Sequence, residues 1–366
     1  MTTETTSLTR ALQALVEESI RRAGGWLPFD RFMALALYAP GLGYYANDSR
    51  KFGQMPSSGS DFVTAPEMSP LFGEALAAQV ADALRASGTD EVWEFGAGSG
   101  SLAVQLLQAL GERVRRYTIV DLSGSLRMRQ QEALAGFAGK VQWAGELPPA
   151  MRGVVVGNEV LDAMPVKLLV RVKGVWHERG ISSAGPDGTL AWDDRPTELR
   201  PPADIAGSHD YLTEIHPQAQ AFVRTLADRL ERGAAFFIDY GFTESEYYHP
   251  QRDMGTLMCH RGHMADSDPL PDLGQKDITA HVNFTGLALA AQEAGLPTLG
   301  YTTQARFLMN CGLLPLLAQA PLAGRVAGHR LIAEHEMGEL FKVIGFYRGE
   351  FWDAVGFREG DRTHTL

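Results

Sequence analysis

A glycine-rich loop between a predicted strand and a predicted helix is the strongest chemical signal in the chain. Its sequence, Glu-Phe-Gly-Ala-Gly-Ser-Gly, occupies residues 94–100. Glycine tolerates positive φ and lets a ligand approach the backbone closely, and the helix that follows presents unpaired N–H groups at its N-terminus. The loop therefore predicts a cofactor site that includes Glu94, Gly96, Ala97, Gly98 and Gly100.

The spacing of the glycines separates several ligand classes. The dinucleotide fingerprint places its third glycine one position later, where this chain has Ser101, and the Gly-Lys-Ser/Thr of a phosphate-binding loop is absent. Asp121 ends the next predicted strand, where an acidic side chain binds the hydroxyl groups of a ribose. The alternative is a tight strand-to-helix turn without a ligand, but the loop, its context and Asp121 together favour a nucleoside-containing cofactor.

A second polar group follows another apolar strand, predicted at 153–157. Asn158, Glu159 and Asp162 come directly after it, and ligands of open α/β sheets bind beyond the carboxyl ends of strands. If the turn is helical, Glu159 and Asp162 share a face, and paired carboxylates hold a cation by bidentate hydrogen bonds. The alternative is that Asn158 caps a helix and Glu159 favours its first turn.

Other chemistry has less support. The segment Cys259-His260-Arg261-Gly262-His263 has no second Cys/His pair nearby, as a tetrahedral zinc site requires, so we predict no metal. A Gly-x-Ser-x-Gly elbow is also absent, which disfavours a serine hydrolase. The chain has two cysteines, too few for a disulfide framework and consistent with a reducing compartment.

Alternating strands and helices must position these residues. Strands are predicted at 91–95, 116–121, 140–143, 153–157 and 234–240, and the helices between them at 101–110, 123–134 and 216–232, a succession typical of a parallel, doubly wound sheet. A hairpin at 168–181, followed by a possible strand at 189–192, interrupts this pattern. Other predicted elements are helices at 6–22, 70–87, 278–295 and 303–317, a strand at 341–346, and long loops at 47–70 and 244–275.

The length of 366 residues fits one elaborated domain. We expect an α/β fold with a Rossmann-like sheet and three additions: a helical N-terminal cap, an antiparallel hairpin insertion and a C-terminal elaboration. The predicted boundaries are 1–88 for the cap and a lid loop, 89–165 for the first part of the cofactor-binding core, 166–205 for the insertion and 206–366 for the rest.

Charge and hydropathy limit the partners. The net charge of −11 argues against a protein that coats duplex nucleic acid, because cationic side chains supply most of that affinity. No segment approaches the roughly 20 apolar residues of a membrane span, and the N-terminus lacks the cationic and apolar regions of a secretory signal. We therefore expect a cytoplasmic protein, and the sequence predicts no oligomeric state.

The glycine loop resembles the first motif of class I S-adenosylmethionine methyltransferases. Over residues 29–346 the chain is similar to the MidA-type family of that class, which includes mitochondrial factors for the assembly of respiratory complex I. The resemblance rests on six segments in order: 37–45, 60–67, the glycine loop, 158–165, 238–241 and 277–284. Two positions depart from the family pattern, which often has Glu at Asp121 and usually has Asp at Asn283.

The resemblance implies S-adenosyl-L-methionine as cofactor and a protein arginine as methyl acceptor, with a complex I subunit as the known type of target. We expect Glu159 and Asp162 to orient the guanidinium and accept its proton, because arginine is protonated in water. Asn158 is expected at the methionyl end of the cofactor. Candidate substrate-binding residues are Tyr45, Asp61, Phe62 and Thr64 on a closing loop, and Asp239, Tyr240 and His281 in the acceptor pocket.

Three of these substrate-binding predictions have a purely structural alternative. Phe62 is equally consistent with a core position, Thr64 with a turn before Ala65-Pro66, and His281 with a hydrogen-bonded histidine on a helix. Two other functions also fit the sequence. One is a methyltransferase that acts on RNA or a small molecule, and the other is a cofactor-binding assembly chaperone without turnover.

Overall fold

The computed structural model of this chain describes residues 3–47, 63–121, 124–183 and 189–366. The predicted substrate-binding residues Asp61 and Phe62 lie outside the described residues. Within the described ranges, no helix combines the length and the apolar character that crossing a membrane requires.

Helices and strands follow one another along the chain with the following bounds. The helices are α1 (Thr3–Arg22), α2 (Phe29–Tyr38), α3 (Ala65–Met68), α4 (Leu71–Ser87), α5 (Ser101–Leu110), α6 (Gly124–Ala133), α7 (Pro217–Arg229), α8 (Glu244–Tyr247), α9 (Phe284–Glu293), α10 (Gln304–Asn310), α11 (Leu313–Gln319) and α12 (Leu322–Arg330). The strands are β1 (Leu27–Pro28), β2 (Glu91–Phe95), β3 (Arg116–Val120), β4 (Val141–Ala144), β5 (Met151–Asn158), β6 (Lys167–Val172), β7 (Val175–Ser182), β8 (Ala191–Pro196), β9 (Tyr211–Ile215), β10 (Leu230–Phe242), β11 (Met258–Arg261), β12 (Met264–Asp266), β13 (Asp277–Thr279), β14 (Val282–Asn283), β15 (Thr298–Thr303) and β16 (Phe341–Arg348).

Eight of the described strands form the main sheet. Its order is β15-β16-β10-β5-β2-β3-β4, and β14 pairs with the end of β10. The pairs from β10 to β4 are parallel, whereas β16 and β15 are antiparallel to their neighbours. The predicted α/β class with a mostly parallel sheet is therefore confirmed.

The strand order reverses between β2 and β5. From β2 the chain moves outward through β3 and β4, and then it crosses back to β5 and β10 on the other side. The loops after β2 and β5 consequently diverge and leave a crevice at the carboxyl ends of the strands, which is where open α/β sheets bind ligands. The glycine loop follows β2, and Asn158 ends β5, so both predicted groups meet at this crevice.

The apolar run in β5 is buried on both faces of the main sheet, because helices pack on each side of it. Val154 and Val156 pack into one hydrophobic core together with residues of α4, α5 and α10. Val155, which points the other way, packs into a second core with residues of α7 and α9. Alternate residues of a strand face opposite sides, so a continuous apolar run indicates burial on both.

A second sheet supports the N-terminal cap. Five described strands form it, in the order β1-β7-β6-β9 with β8 on β7. The predicted hairpin is β6–β7, and its two turn residues, Lys173 and Gly174, both have positive φ. Strand β9 completes the sheet beyond the predicted insertion boundary at 205. Helices α1 and α2 bury apolar side chains against β6 and β7, including Leu12, Phe32, Leu168 and Ile181.

Two helix predictions are wrong in the C-terminal half. The segment predicted as one helix at 278–295 contains β13 and β14, and α9 begins only at Phe284. Strand β14 pairs in parallel with Gly241 and Phe242, and the Asn283 side chain caps α9 by accepting from the Gly286 N–H. The helix predicted at 303–317 is split at Gly312, whose φ of 88° ends α10 and begins α11.

The loop predicted at 244–275 also contains regular structure. It includes α8 and the hairpin β11–β12, and β11 pairs on its other side with β13. The hairpin turns at Gly262 and His263, both with positive φ. This small sheet forms one wall of the crevice, because Met258, His260 and Ala265 face the cavity there.

Candidate active site

A cavity of about 1000 Å³ occupies the crevice at the carboxyl ends of β2, β3, β5 and β10. It brings together most of the predicted site residues: Tyr45, Thr64, Glu94, Gly96, Ala97, Gly98, Asp121, Asn158, Glu159, Asp162, Tyr240 and His281. Two predicted residues have other positions. Gly100 lies behind the loop at the start of α5, and Asp239 lies beneath the polar turn that follows β5.

The glycine loop has a backbone that side chains would disturb. Gly96, Gly98 and Gly100 have φ values of 65°, 54° and 86°. A Cβ atom on Gly96 would lie 2.9 Å from Cγ2 of Val160, which is closer than such atoms normally approach. The loop therefore requires glycine both for its dihedral angles and for its close approach to the turn after β5.

Glu94 lies below the loop and is buried. The Tyr117 hydroxyl donates a hydrogen bond of 2.7 Å to its Oε2. Burial and, to a smaller extent, the charge of Asp121 raise the pKa of Glu94 to about 8, against the opposing effect of the hydrogen bond from Tyr117. The carboxyl group is thus mainly protonated at neutral pH and is able to donate a hydrogen bond.

Asp121 is held by a residue that sequence reasoning missed. Gln130 of α6 donates from Nε2 to Asp121 Oδ2 at 2.9 Å and to the carbonyl oxygen of Gly98 at 3.0 Å. The indole Nε1 of Trp143 donates to Gln130 Oε1 at 2.9 Å. A single glutamine on a predicted helix gives no sequence signal, because its partners come from three separate segments.

The turn after β5 is not helical, so neither the shared helical face nor the helix cap predicted for it exists. Glu159 has a φ of 54°, an uncommon conformation for a residue other than glycine. Its Oε1 accepts from Asn158 Nδ2 at 2.8 Å, and its N–H donates to the carbonyl oxygen of Ile238. The backbone turn, rather than helical periodicity, brings Glu159 and Asp162 to one cavity.

Asp239 holds this turn, which corrects its predicted role at the substrate. Its buried Oδ2 accepts hydrogen bonds from the N–H groups of Val160, Leu161 and Asp162 at 2.9–3.2 Å. Burial and the charges of Asp162 and Glu159 raise the pKa of Asp239, while the N–H groups lower it. Its carboxyl group therefore acts on the backbone beneath the site.

The two cavity carboxyl groups also have altered acidity. Burial, followed by the charge of Asp162, raises the pKa of Glu159 to about 8. Burial likewise raises the pKa of Asp162, against the effect of the Tyr240 hydroxyl, which donates to Asp162 Oδ2 at 2.5 Å. Asp162 Oδ1 has no hydrogen-bond partner among the described residues. The site therefore binds protons more readily than exposed carboxylates do.

His281 lies in the turn between β13 and β14, not on a helix as predicted. Its ring stacks on Phe242 with centroids 5.1 Å apart, and it packs edge-on against Tyr240 at 5.0 Å. Burial and, to a smaller extent, the charges of Arg252 and Lys342 lower the pKa of His281 to about 4. A neutral imidazole therefore forms part of an aromatic wall that also includes Phe341.

The N-terminal cap forms the opposite wall. The Tyr45 hydroxyl donates to Asp277 Oδ1 at 2.8 Å, and its ring stacks on Tyr38 at 5.6 Å. Thr64 precedes α3, where its carbonyl oxygen accepts from Glu67 N–H. Asp277 and Tyr38 also line the cavity, although they were not predicted as site residues. Asp277 belongs to the 277–284 segment, so that segment was a signal that could have identified it.

The cavity has a strongly acidic lining. Of the described residues that line it, none is Lys or Arg and seven carry a carboxyl group: Glu67, Glu94, Asp121, Glu146, Glu159, Asp162 and Asp277. A lining that carries carboxyl groups and no cationic side chain favours cationic ligands. The described part of the chain contains no cluster of three or more His, Cys, Asp or Glu side chains suited to a metal ion.

Known proteins share both this sequence and this fold. The model of the S-adenosyl-L-methionine-dependent methyltransferase family Methyltransf_28 matches residues 75–302. A crystal structure from Burkholderia thailandensis, bound to S-adenosyl-homocysteine, is 49% identical with a TM-score of 0.95 and covers 100% of this chain and 99% of that chain. A native structure from the same organism is 48% identical with a TM-score of 0.92, at the same coverage.

More distant relatives carry the name protein arginine methyltransferase NDUFAF7, mitochondrial, or homolog. The Danio rerio protein is 28% identical over an alignment of 328 positions that covers 80% of this chain and 74% of that protein. The Drosophila melanogaster homolog is 27% identical over an alignment of 386 positions, gaps included, that covers 91% of this chain and 85% of that protein. The chain therefore belongs to the Methyltransf_28 family of S-adenosyl-L-methionine-dependent methyltransferases, as its resemblance to the MidA-type family predicts.

Proposed function

We propose that this methyltransferase transfers the methyl group of S-adenosyl-L-methionine to an arginine side chain of a protein. The observation that carries the proposal is the pair Glu159 and Asp162, which faces a cavity whose described lining has no Lys or Arg. The names of the relatives at 25–28% identity support the same acceptor. A guanidinium is the cation that paired carboxylates bind best, through parallel hydrogen bonds.

The residues at the glycine loop fit the cofactor. Gly96 and Gly98 leave room for a ligand beside the backbone, Asp121 stands where ribose hydroxyls bind, and Asn158 Oδ1 is buried with no hydrogen-bond partner among the described residues. We assign Glu94, Gly96, Ala97, Gly98, Gly100 and Asp121 to the nucleoside and loop end, and Asn158 to the methionyl end. S-Adenosyl-L-methionine supplies a methyl group on a cationic sulfur, which the acidic lining favours.

Arginine presents a specific chemical problem. Its guanidinium has a pKa above about 12, so the nitrogen that attacks the methyl carbon begins protonated and weakly nucleophilic. As the nitrogen–carbon bond forms and the carbon–sulfur bond breaks, the sulfur keeps the electron pair and the nitrogen must lose a proton. A nearby carboxylate accepts that proton and holds the guanidinium in line with the methyl group.

The two carboxylates divide this work. Tyr240 holds Asp162 Oδ2 and so directs Oδ1, which has no partner among the described residues, toward a guanidinium N–H. Glu159 has a pKa raised to about 8 and is therefore the better proton acceptor of the pair. Asn158 orients Glu159 through its bond to Oε1, and Asp239 sets the backbone that carries both. Tyr45, Thr64 and His281 lie around the pair and help to exclude water.

The rate should rise with pH across the range in which Glu159 loses its proton. At saturating cofactor, kcat/KM for an arginine peptide is expected to increase about tenfold per pH unit below about 8 and to level off above it. The sign follows because a raised carboxyl pKa leaves the residue protonated, and inactive as a base, at pH 6. The peptide must have an acetylated N-terminus and no histidine, so that it does not itself titrate in this range. A pH-independent kcat/KM between 6 and 8 would exclude Glu159 as the base.

The acceptor is identified by label transfer. The purified protein is incubated with S-adenosyl-L-methionine carrying a tritiated methyl group and with lysate from a strain that lacks the enzyme. Label is expected in protein, and acid hydrolysis should release it as methylarginine. Label in nucleic acid or in a small molecule would overturn the proposal, and cofactor binding without any transfer would indicate a chaperone. A respiratory complex I subunit is the target that the family resemblance predicts, and a cytoplasmic location stays a prediction.

A further inference from the structure

One amide group joins three separate parts of the cofactor side of the cavity. Gln130 is completely buried on α6, and each of its polar atoms has a partner. Nε2 donates to Asp121, at the end of β3, and to Gly98 in the glycine loop, whereas Oε1 accepts from Trp143 of β4. Because each partner belongs to a different strand or loop, the amide links three segments that are separate along the chain.

The orientation of this amide follows from its partners. Indole Nε1 is only a donor, so the atom facing Trp143 must be the carbonyl oxygen of the amide. The NH₂ group then faces the Asp121 carboxylate and the Gly98 carbonyl, which are both acceptors. In this orientation the Gln130 amide makes all three hydrogen bonds. If the amide were flipped, donor would face donor at Trp143, and acceptor would face acceptor at Asp121 and Gly98.

We infer that Gln130 is a positioning residue for the cofactor and that it acts through Asp121 and the glycine loop. By holding Oδ2, the amide sets the rotation of the Asp121 carboxylate at the cavity wall. By holding the Gly98 carbonyl, the same NH₂ group keeps the loop at a constant distance from that carboxylate. This inference rests on the proposed role of Asp121 in cofactor binding and is independent of arginine as the acceptor.

Packing around Gln130 agrees with this role. A Cβ atom on Gly100 would lie 3.5 Å from Cα of Gln130 and 3.6 Å from its Cγ, so α6 lies directly against the back of the loop. The Trp143 ring in turn carries the Arg127 guanidinium at 5.7 Å from its centroid. Helix α6, with Trp143 of strand β4 behind its Gln130, therefore supports the glycine loop.

Gln130→Glu is the sharpest test, because the substitution keeps the size of the side chain and the acceptor for Trp143. It replaces the NH₂ group by an oxygen that faces Asp121 and the Gly98 carbonyl. Calorimetry with S-adenosyl-homocysteine at pH 9 is expected to show affinity at least tenfold below the unmodified protein. At pH 6 the ratio should shrink, because the neighbouring carboxylate raises the pKa of the new side chain and its protonated form donates again.

Two further variants separate charge from packing. Gln130→Met removes the polar group without adding charge, and Trp143→Phe removes the donor to Oε1 together with one ring of the indole. Both are expected to weaken S-adenosyl-homocysteine about threefold with no difference between pH 6 and 9. The matched control is Gln142→Glu on the same strand as Trp143, where the exposed amide donates to Thr118 Oγ1. That control should bind within twofold of the unmodified protein, and thermal unfolding verifies that each variant folds.

A double-mutant cycle with Asp121→Asn decides whether Gln130 acts through Asp121. In the Asp121→Asn background, Gln130→Glu is expected to weaken binding less than threefold, because the carboxylate that it would repel is gone. Equal effects in both backgrounds, or unchanged affinity of Gln130→Glu at pH 9, would overturn the inference. If Asp121→Asn by itself leaves the affinity unchanged, the proposed ribose contact fails instead, so the two failures are distinguishable.

Discussion

Replacing Glu159 by Gln is expected to lower kcat for arginine methylation by about 10²–10³-fold while affinity for S-adenosyl-homocysteine stays within about threefold. The magnitude is that of a general base lost from a positioned site. The substitution preserves the length of the side chain. It adds no backbone strain, because Gln and Glu are similarly strained at a φ of 54°. The amide still hydrogen-bonds a guanidinium but does not accept its proton, so the loss should fall on the chemical step.

Single-turnover rates at saturating cofactor and peptide measure this step directly. The variant should also lose the rise of kcat/KM between pH 6 and 8, since the titrating group is gone. Glu146→Gln is the matched control: Glu146 lines the same cavity but is exposed on the segment after β4, away from the turn that carries Glu159. Unimpaired turnover in Glu159→Gln, or an equal loss in Glu146→Gln, would contradict the assignment.

Replacing Asp239 by Ala is expected to destabilise the protein by at least about 3 kcal/mol, and to reduce methyl transfer further in the molecules that stay folded. Three backbone N–H groups, of Val160, Leu161 and Asp162, would lose their shared acceptor, and each such buried group costs about 1–3 kcal/mol. The same turn carries Glu159 and Asp162, so its relaxation would separate the two carboxylates that we propose to hold one guanidinium.

Urea unfolding at pH 7 measures the stability, and Asp239→Asn provides the comparison. The asparagine carbonyl still accepts from part of the turn, so its loss of stability should be less than half of that caused by Ala. A stable Asp239→Ala variant would show that the N–H groups find other partners and that Asp239 does not hold the turn. A stable and inactive variant would instead favour the substrate-binding role that the sequence predicts for Asp239.

As pH rises, ionisation of the buried carboxyl groups is expected to increase activity and to decrease the stability of the fold. The raised pKa values of Glu94, Glu159 and Asp239 mean that folding favours their protonated forms. The contribution of Glu94 and Glu159 to stability is complete below the unfolded pKa, near 4, and is lost as pH rises toward about 8. The contribution of Asp239 is lost in the same direction. In the mechanism that we propose, ionisation of Glu159 activates the site over the same range. A cation bound between the carboxylates offsets this loss, which gives the acidic cavity a thermodynamic preference for its cationic ligands.

Local patterns in the sequence determined the parts of the site that each occupy one segment. The glycine loop requires positive φ at closely spaced positions, and only glycine adopts it without strain, so the motif is visible in the residues themselves. The apolar run of β5 indicates a doubly buried strand, and a strand of that kind ends at the ligand edge of the sheet. Asp121, Glu159 and Asp162 were therefore predictable as neighbours of one crevice.

The tertiary structure alone decided the contacts that join distant segments. Asp239 reaches the turn at 160–162 from a strand 77 or more residues away, and Gln130 joins α6, the glycine loop and β4. Strand pairing with β10 also overrode the helical pattern after Ile278. Helical and strand periodicity report only on neighbours along the chain. A hydrogen bond across the sheet depends on which strands lie side by side, and that order is established when the whole apolar core is buried.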